Sequence, residues 1–233
     1  MRLELRGVDG LPEITPGMDL GGLIAKHAAP LHSGDVVVVT QKVVSKEEGR
    51  LRDLATVVVT ERASQLAVRY QVDPRMVQAV LDESVRVIRD DRVLLVETHH
   101  GFICVNAGID KSNVPGSDTV SLLPLNCNAS ALRLRERIAS VSGVDVAIII
   151  SDTFGSAWRH GLCDIALAAA GMPLVLEREH EDDFGVPLPA GMINFAIADE
   201  LAGAAELIMG KARRLPAVVV SGLSFPSPSD ISA

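Results

Sequence analysis

Four polar segments of this chain sit where the building of a core gives no reason for them. Each carries side chains suited to phosphate or to a hard cation. Residues 40–50, Thr-Gln-Lys-Val-Val-Ser-Lys-Glu-Glu-Gly-Arg, directly follow four valines, at the kind of strand end where ligands are met. Lys42 and Lys46 there could both point at phosphates, or the segment could be a solvated charged turn. Residues 106–116 set Asp110 among Asn, Ser, Gly and Lys, which suits an oxygen-seeking cation beside a phosphate; an Asx-type turn would use the same residue types. Residues 151–161 place Asp152 at another strand end, with a hydroxyl on Thr153 and the lone Trp158 next to Arg159, a side chain able to hold an anionic substrate. Residues 198–211 offer Asp199 and Glu200, as ligands or as a solvated helix face. Lys211, Arg213 and Arg214 beyond them could meet phosphate or complement a helix dipole.

Other chemistries lack their parts. There is no GxSxG elbow, GxGxxG turn or GxxxxGK[ST] loop. The three cysteines, Cys104, Cys127 and Cys163, are an odd number without CxxC spacing, and they read as buried free thiols of a reducing cytoplasm. His99 and His100 are adjacent, so on a strand they diverge and make a poor metal pair.

The positioning elements follow from pattern. The 233 residues are 48% hydrophobic and suffice for a real core, which with 3% aromatics must be built from Val, Leu, Ile and Ala. A helix is expected from Asp19, a strand buried on both faces over 36–40, helical spacing over 61–70, and a helix begun by Asp73-Pro74 that runs to about Ser84. Strand-like runs follow at 85–89, 92–98 and 102–105. Residues 126–130 cap a helix over 131–141 that Gly143 ends, and 144–150 is a second buried strand. The longest helix is expected over 193–209 with Gly210 at its end, then a strand at 217–220 and a loose tail from 224. This irregular alternation predicts an α+β fold with a mixed β-sheet and flanking helices. The net charge of -8 argues against nucleic acid as a partner, and the longest nearly uncharged stretch, 165–176, is too short to cross a membrane. A cytoplasmic protein is expected.

Taken in order, Leu11-Pro12-Glu13-Ile14, residues 44–50, Glu83-Ser84, residues 106–113, residues 151–155 with Trp158-Arg159, and residues 198–201 with Met209-Gly210-Lys211 closely resemble the coenzyme F420-0:L-glutamate ligase family, over about residues 1–223. The resemblance implies a single two-lobed ligase domain and a homodimer. It implies an enzyme that uses GTP to add L-glutamate to the terminal carboxylate of coenzyme F420-0 and then extends the tail by γ-linkage, with Mg²⁺ or Mn²⁺, two per site, and a monovalent cation such as K⁺. By motif match, Leu11, Pro12, Glu13 and Ile14 would line the GTP site. Gln41, Lys42 and Lys46 would lie near its phosphates, with Asn113, Met209, Gly210 and Lys211 also on the nucleotide. Asp110 and Asp152 would share one cation and Thr153 would help hold the second. Lys46 and Arg159 are the candidates for a catalytic part, and no general base is identifiable.

The chain departs from the archaeal pattern at Lys211, where those members carry an acidic metal ligand before a glycine run. It also departs at Ala168-Ala169-Ala170, which replaces a glycine-containing stretch, and in a shortened segment over 177–186. The flavin-binding second domain of the bacterial fusion enzymes is not expected. Two other functions fit the same residues: a nucleotide-dependent carboxylate–amine ligase on another small acid, and a non-catalytic nucleotide-binding paralogue.

Overall fold

A computed structural model describes residues 2–91, 93–177, 186, 194–223 and 225. In chain order the elements are β1 (Glu4–Gly7), α1 (Leu20–His27), β2 (Val36–Thr40), α2 (Gln41–Glu47), β3 (Leu51–Asp53), α3 (Glu61–Tyr70), α4 (Pro74–Asp82), β4 (Ser84–Arg89), β5 (Leu95–Thr98), β6 (Ile103–Val105), β7 (Thr119–Ser121), α5 (Cys127–Ser142), β8 (Ala147–Gly155), β9 (Leu162–Ala170), β10 (Leu176–Glu177), β11 (Asn194–Phe195), α6 (Ile197–Met209) and β12 (Ala217–Ser221). The fold is α+β, as expected.

The main sheet has the order β1-β12-β2-β8-β9. Its one parallel pair is β2 with β8; the other neighbours run antiparallel, so the sheet is mixed. The four valines of β2 are fully buried because both faces of the sheet are covered. Val37 and Val39 face α1 and α5 with Ile148 and Ile150, whereas Val36 and Val38 face α6 with Ile149, Val218 and Val220. A separate core holds α3 and α4 against the β4-β5-β6 sheet and the β3–β7 pair. Arg50 ties this second core to the first: its Nη2 donates to Glu83 Oε2 at 2.7 Å and its Nε to the Leu123 carbonyl at 2.8 Å.

Helix starts follow local chemistry. Asp19, Thr60, Asp73 and Asn126 each accept a hydrogen bond from the first helical turn, and Gly143 closes α5 with φ +72°. Five elements differ from the sequence reading. Residues 41–47 are helical, although Thr40 gives no side-chain cap, because the chain leaves the sheet at once. β8 extends to Gly155, well beyond residue 150, because β9 continues to pair with it. The alanine-rich run 162–170 is that partner strand, a feature composition does not announce. α5 begins at Cys127 rather than 131, with Asn126 as its cap. α6 begins at Ile197, since Asn194 and Phe195 pair with β10, while residue 193 lies outside the described residues. The expected start of a strand at Arg92 and the shortened segment over 178–185 also lie outside them, as does most of the tail.

Candidate functional site

The parallel pairing of β2 with β8 ends at Thr40 and Ser151. There β2 turns straight into α2, whereas β8 continues four residues further with β9 alone at its side. Where this edge of β8 opens, Ser151, Asp152 and Thr153 form one wall of a cleft of about 810 Å³. The remaining walls include Leu11, Pro12, Glu13 and Ile14, the Lys42, Val43 and Lys46 face of α2, residues 108–110 and 112–115, and the end of α6 with residues 210–212 and 214–216. This is the topology rule for sheets with a parallel pair: the ligand crevice opens beyond the carboxyl ends of the strands.

The charges in the cleft are arranged in pairs. Lys42 Nζ donates to Asp110 Oδ2 at 2.5 Å and to Ser112 Oγ at 2.9 Å. Burial works against the charge of Asp110, but the hydrogen bonds from Lys42 and Ser112 outweigh it and hold the carboxyl below its ordinary range. Lys46 is only 5% exposed and pairs with Glu13, whose carboxylate lies at the cleft mouth. The solvated-turn reading of residues 40–50 therefore fails: Gln41, Ser45 and Lys46 are buried, because α2 packs inward against the sheet. Asp152 is the opposite case to Asp110. Burial, with the like charge of Asp164 adding to it, pushes its carboxyl up to about 6, despite hydrogen bonds from Thr153 N–H and Gln41.

The sequence candidates mostly converge. Leu11, Pro12, Glu13, Ile14, Lys42, Lys46, Asp110, Asn113, Asp152, Thr153, Met209, Gly210 and Lys211 all line the cleft. Gln41, 1% exposed, stands behind it and braces Asp152. Arg159 lies outside the cleft, on the turn between β8 and β9, where its guanidinium donates to the Gly161 carbonyl and to Cys163 Sγ. Arg213 caps the α6 carbonyls of Leu207 and Ile208, and its neighbour Arg214 reaches the cleft instead. Asp199 accepts from the Ala166 amide, so it fastens α6 to β9. Cys163 is half-buried, unlike Cys104 and Cys127, whose thiols burial pushes up to about 11.

Sequence reading missed Asp164, Ser112 and Glu206 as site residues, and all three line the cleft. Asp164 is a lone acid inside an apolar strand. That was its signal, and it is visible only once residues 162–170 are known to be a strand.

The donor set fits a hard divalent cation. Asp110 and Asp152 present carboxylate oxygens to the same cleft, and Thr153 adds a hydroxyl oxygen. Among the described residues no group of three or more His, Cys, Asp or Glu side chains is arranged as a closed metal site. Hydroxyl, backbone, water and phosphate oxygens could complete such a site, since Mg²⁺ and Mn²⁺ accept all of them. A buried carboxylate held as high as Asp152 has charge to neutralise, and a cation there would do so.

Residues 10–222 match the family model described as F420-0:Gamma-glutamyl ligase. The chain is 42% identical to the Coenzyme F420:L-glutamate ligase of Halorubrum lacusprofundi, covering 96% of this chain and 88% of that protein. It is 41% identical to the protein of the same name from Archaeoglobus fulgidus (96% and 89% covered) and 37% to that from Methanothermobacter thermautotrophicus (95% and 90%). With the match spanning both cores and every wall of the cleft, the chain belongs to the F420-0:gamma-glutamyl ligase family.

Proposed function

We propose that this chain is a ligase of coenzyme F420 biosynthesis that uses GTP to join L-glutamate to the terminal carboxylate of coenzyme F420-0, and then adds further glutamates through γ-linkage. The observation that carries the reading is one cleft in which Lys42 and Lys46 of α2 face Asp110 and Asp152. A carboxylate is a poor electrophile and must be activated. Its oxygen attacks the γ-phosphorus of GTP, GDP departs, and an acyl phosphate results. The glutamate amine then attacks the carbonyl carbon, the C–O bond to phosphate breaks, and the amine gives up a proton as the amide forms.

Phosphoryl transfer of this kind depends on positioning and charge neutralisation more than on covalent help from the protein. Lys42 and Lys46 hold carboxylates in the free protein, and phosphate oxygens of the same charge would take the place of Asp110 and Glu13. Asp110, Asp152 and Thr153 would hold Mg²⁺ or Mn²⁺, two ions with a monovalent K⁺ as auxiliary, and these ions neutralise phosphate charge and align the reacting oxygens. Asn113 and the residue 11–14 loop would bound the nucleotide, and Lys211 would meet phosphate directly. Arg159 then has a part only across a homodimer interface. The 94% exposed Trp158 on that turn and the exposed Leu162 at the start of β9 support such an interface.

The test is incubation with GTP, MnCl₂, L-glutamate and F420-0, followed by mass spectrometry. Added glutamate with release of GDP is the expected result. GDP release with another carboxylic acid alone would favour the ligase on a different substrate, and GTP binding without turnover the non-catalytic paralogue.

A further inference from the structure

We infer that Asp164 is a positioning residue of the cation site: it fixes the hydroxyl hydrogens of Ser151 and Thr153 so that Thr153 Oγ1 meets the cleft as an acceptor only. Asp164 is 4% exposed and lines the cleft. Ser151 Oγ donates to its Oδ2 at 3.0 Å and Thr153 Oγ1 to its Oδ1 at 2.7 Å. An ionised carboxylate only accepts, so each hydroxyl spends its single hydrogen on Asp164 and keeps its lone pairs for other partners. A cation needs lone pairs; a hydroxyl whose hydrogen points into the cleft would repel one.

The backbone is arranged for this contact. Between β8 and β9 the register shifts at Ile150/Ser151: Ile150 pairs with Ala168, but Ser151 pairs with Ala166. This bulge accommodates one extra residue on β9, Leu167, and places Asp164 rather than Ile165 opposite Thr153. Directly paired residues share a face, which brings the carboxylate under both hydroxyls. A buried carboxylate whose hydrogen-bond partners are hydroxyls, not a cationic side chain, is costly for folding alone. Its return is the orientation of a neighbouring ligand, as outer-sphere carboxylates do for metal-bound side chains.

The inference rests on the reading of Thr153 as a cation ligand, and the experiment separates the two. Asp164→Asn keeps the shape but replaces one acceptor by an amide donor, so one hydroxyl must turn its hydrogen away. Mn²⁺ affinity is measured by electron paramagnetic resonance on the intact protein with GTP bound, for wild type, Asp164→Asn, Thr153→Val and the double variant, alongside Tm. The expected result is a roughly 10–100-fold weaker Kd in Asp164→Asn, a similar loss in Thr153→Val, and no further loss in the double variant. Tm should fall little, and saturating Mn²⁺ should restore glutamate addition by Asp164→Asn. Wild-type affinity in Asp164→Asn beside a weakened Thr153→Val overturns this inference alone, as do losses that add in the double variant. Wild-type affinity in Thr153→Val overturns the ligand reading and the inference with it.

Discussion

Asp152 is held in a state that weakens the metal-free protein, and its amide isostere should reveal by how much. Burial raises its carboxyl from 3.8 to about 6, so the native state binds the proton more tightly than the unfolded chain. Stability therefore falls as the pH rises from about 4 to about 6, and above that range the full penalty applies, about 3 kcal/mol. Asp152→Asn removes the charge and its repulsion from Asp164, while an amide oxygen can still accept from Thr153 N–H and Gln41. Those hydrogen bonds become neutral and weaker, which returns part of the gain and leaves about 1–2 kcal/mol. For a chain of this length that is a rise in Tm of roughly 2–8 °C at pH 7.5. The assay is thermal unfolding in chelator at pH 7.5 and at pH 4.5, with and without MnCl₂ and GTP. The variant should melt higher at pH 7.5, lose most of that advantage at pH 4.5, gain nothing from Mn²⁺, and fail to add glutamate. A lower Tm at pH 7.5, or a difference independent of pH, would refute the reasoning.

With Lys42 on a phosphate as proposed, Lys42→Met should cost at least about 100-fold in turnover, because a charged hydrogen bond to the transferring group would be lost. Its Tm should move by only a few degrees, since Asp110 is partly solvated and keeps Ser112. Arg50→Ala strips the half-buried Glu83 and the Leu123 carbonyl of their partner, and calorimetry should show a loss of about 2–3 kcal/mol. Gly108→Ala would bring a Cβ to 2.8 Å from Leu123 Cδ2 at φ +69°, just before Asp110; it should lower Tm and turnover together, read by unfolding and product mass. If the chain forms the homodimer proposed above, Trp158→Ala should leave the monomer fold intact and shift the chain from dimer toward monomer in light scattering; a wild type that scatters as a monomer would overturn that proposal.

Much of this protein was legible in its residues. Asp73-Pro74, Asn126 and Gly143 marked helix boundaries because capping is local chemistry. Val36 to Val39 had to be a strand covered on both faces. The polar runs at strand ends named Lys42, Lys46, Asp110 and Asp152, since a core has no use for them. The residues that escaped were those whose meaning depends on distant partners. Residues 162–170 show neither alternation nor helical spacing, and they are a strand because they pair along the edge of β8 opposite β2. Asp164 became part of the site through one bulge, and Arg214 rather than Arg213 reached the cleft through the turn after α6. Sequence alone therefore determined which side chains could bind phosphate and a cation, because residue type sets charge and donor capacity. Tertiary structure decided which of them meet, which hydroxyl faces inward and which carboxylate is strained, because register, burial and the end of a parallel strand pair are properties of packing and not of neighbours in the chain.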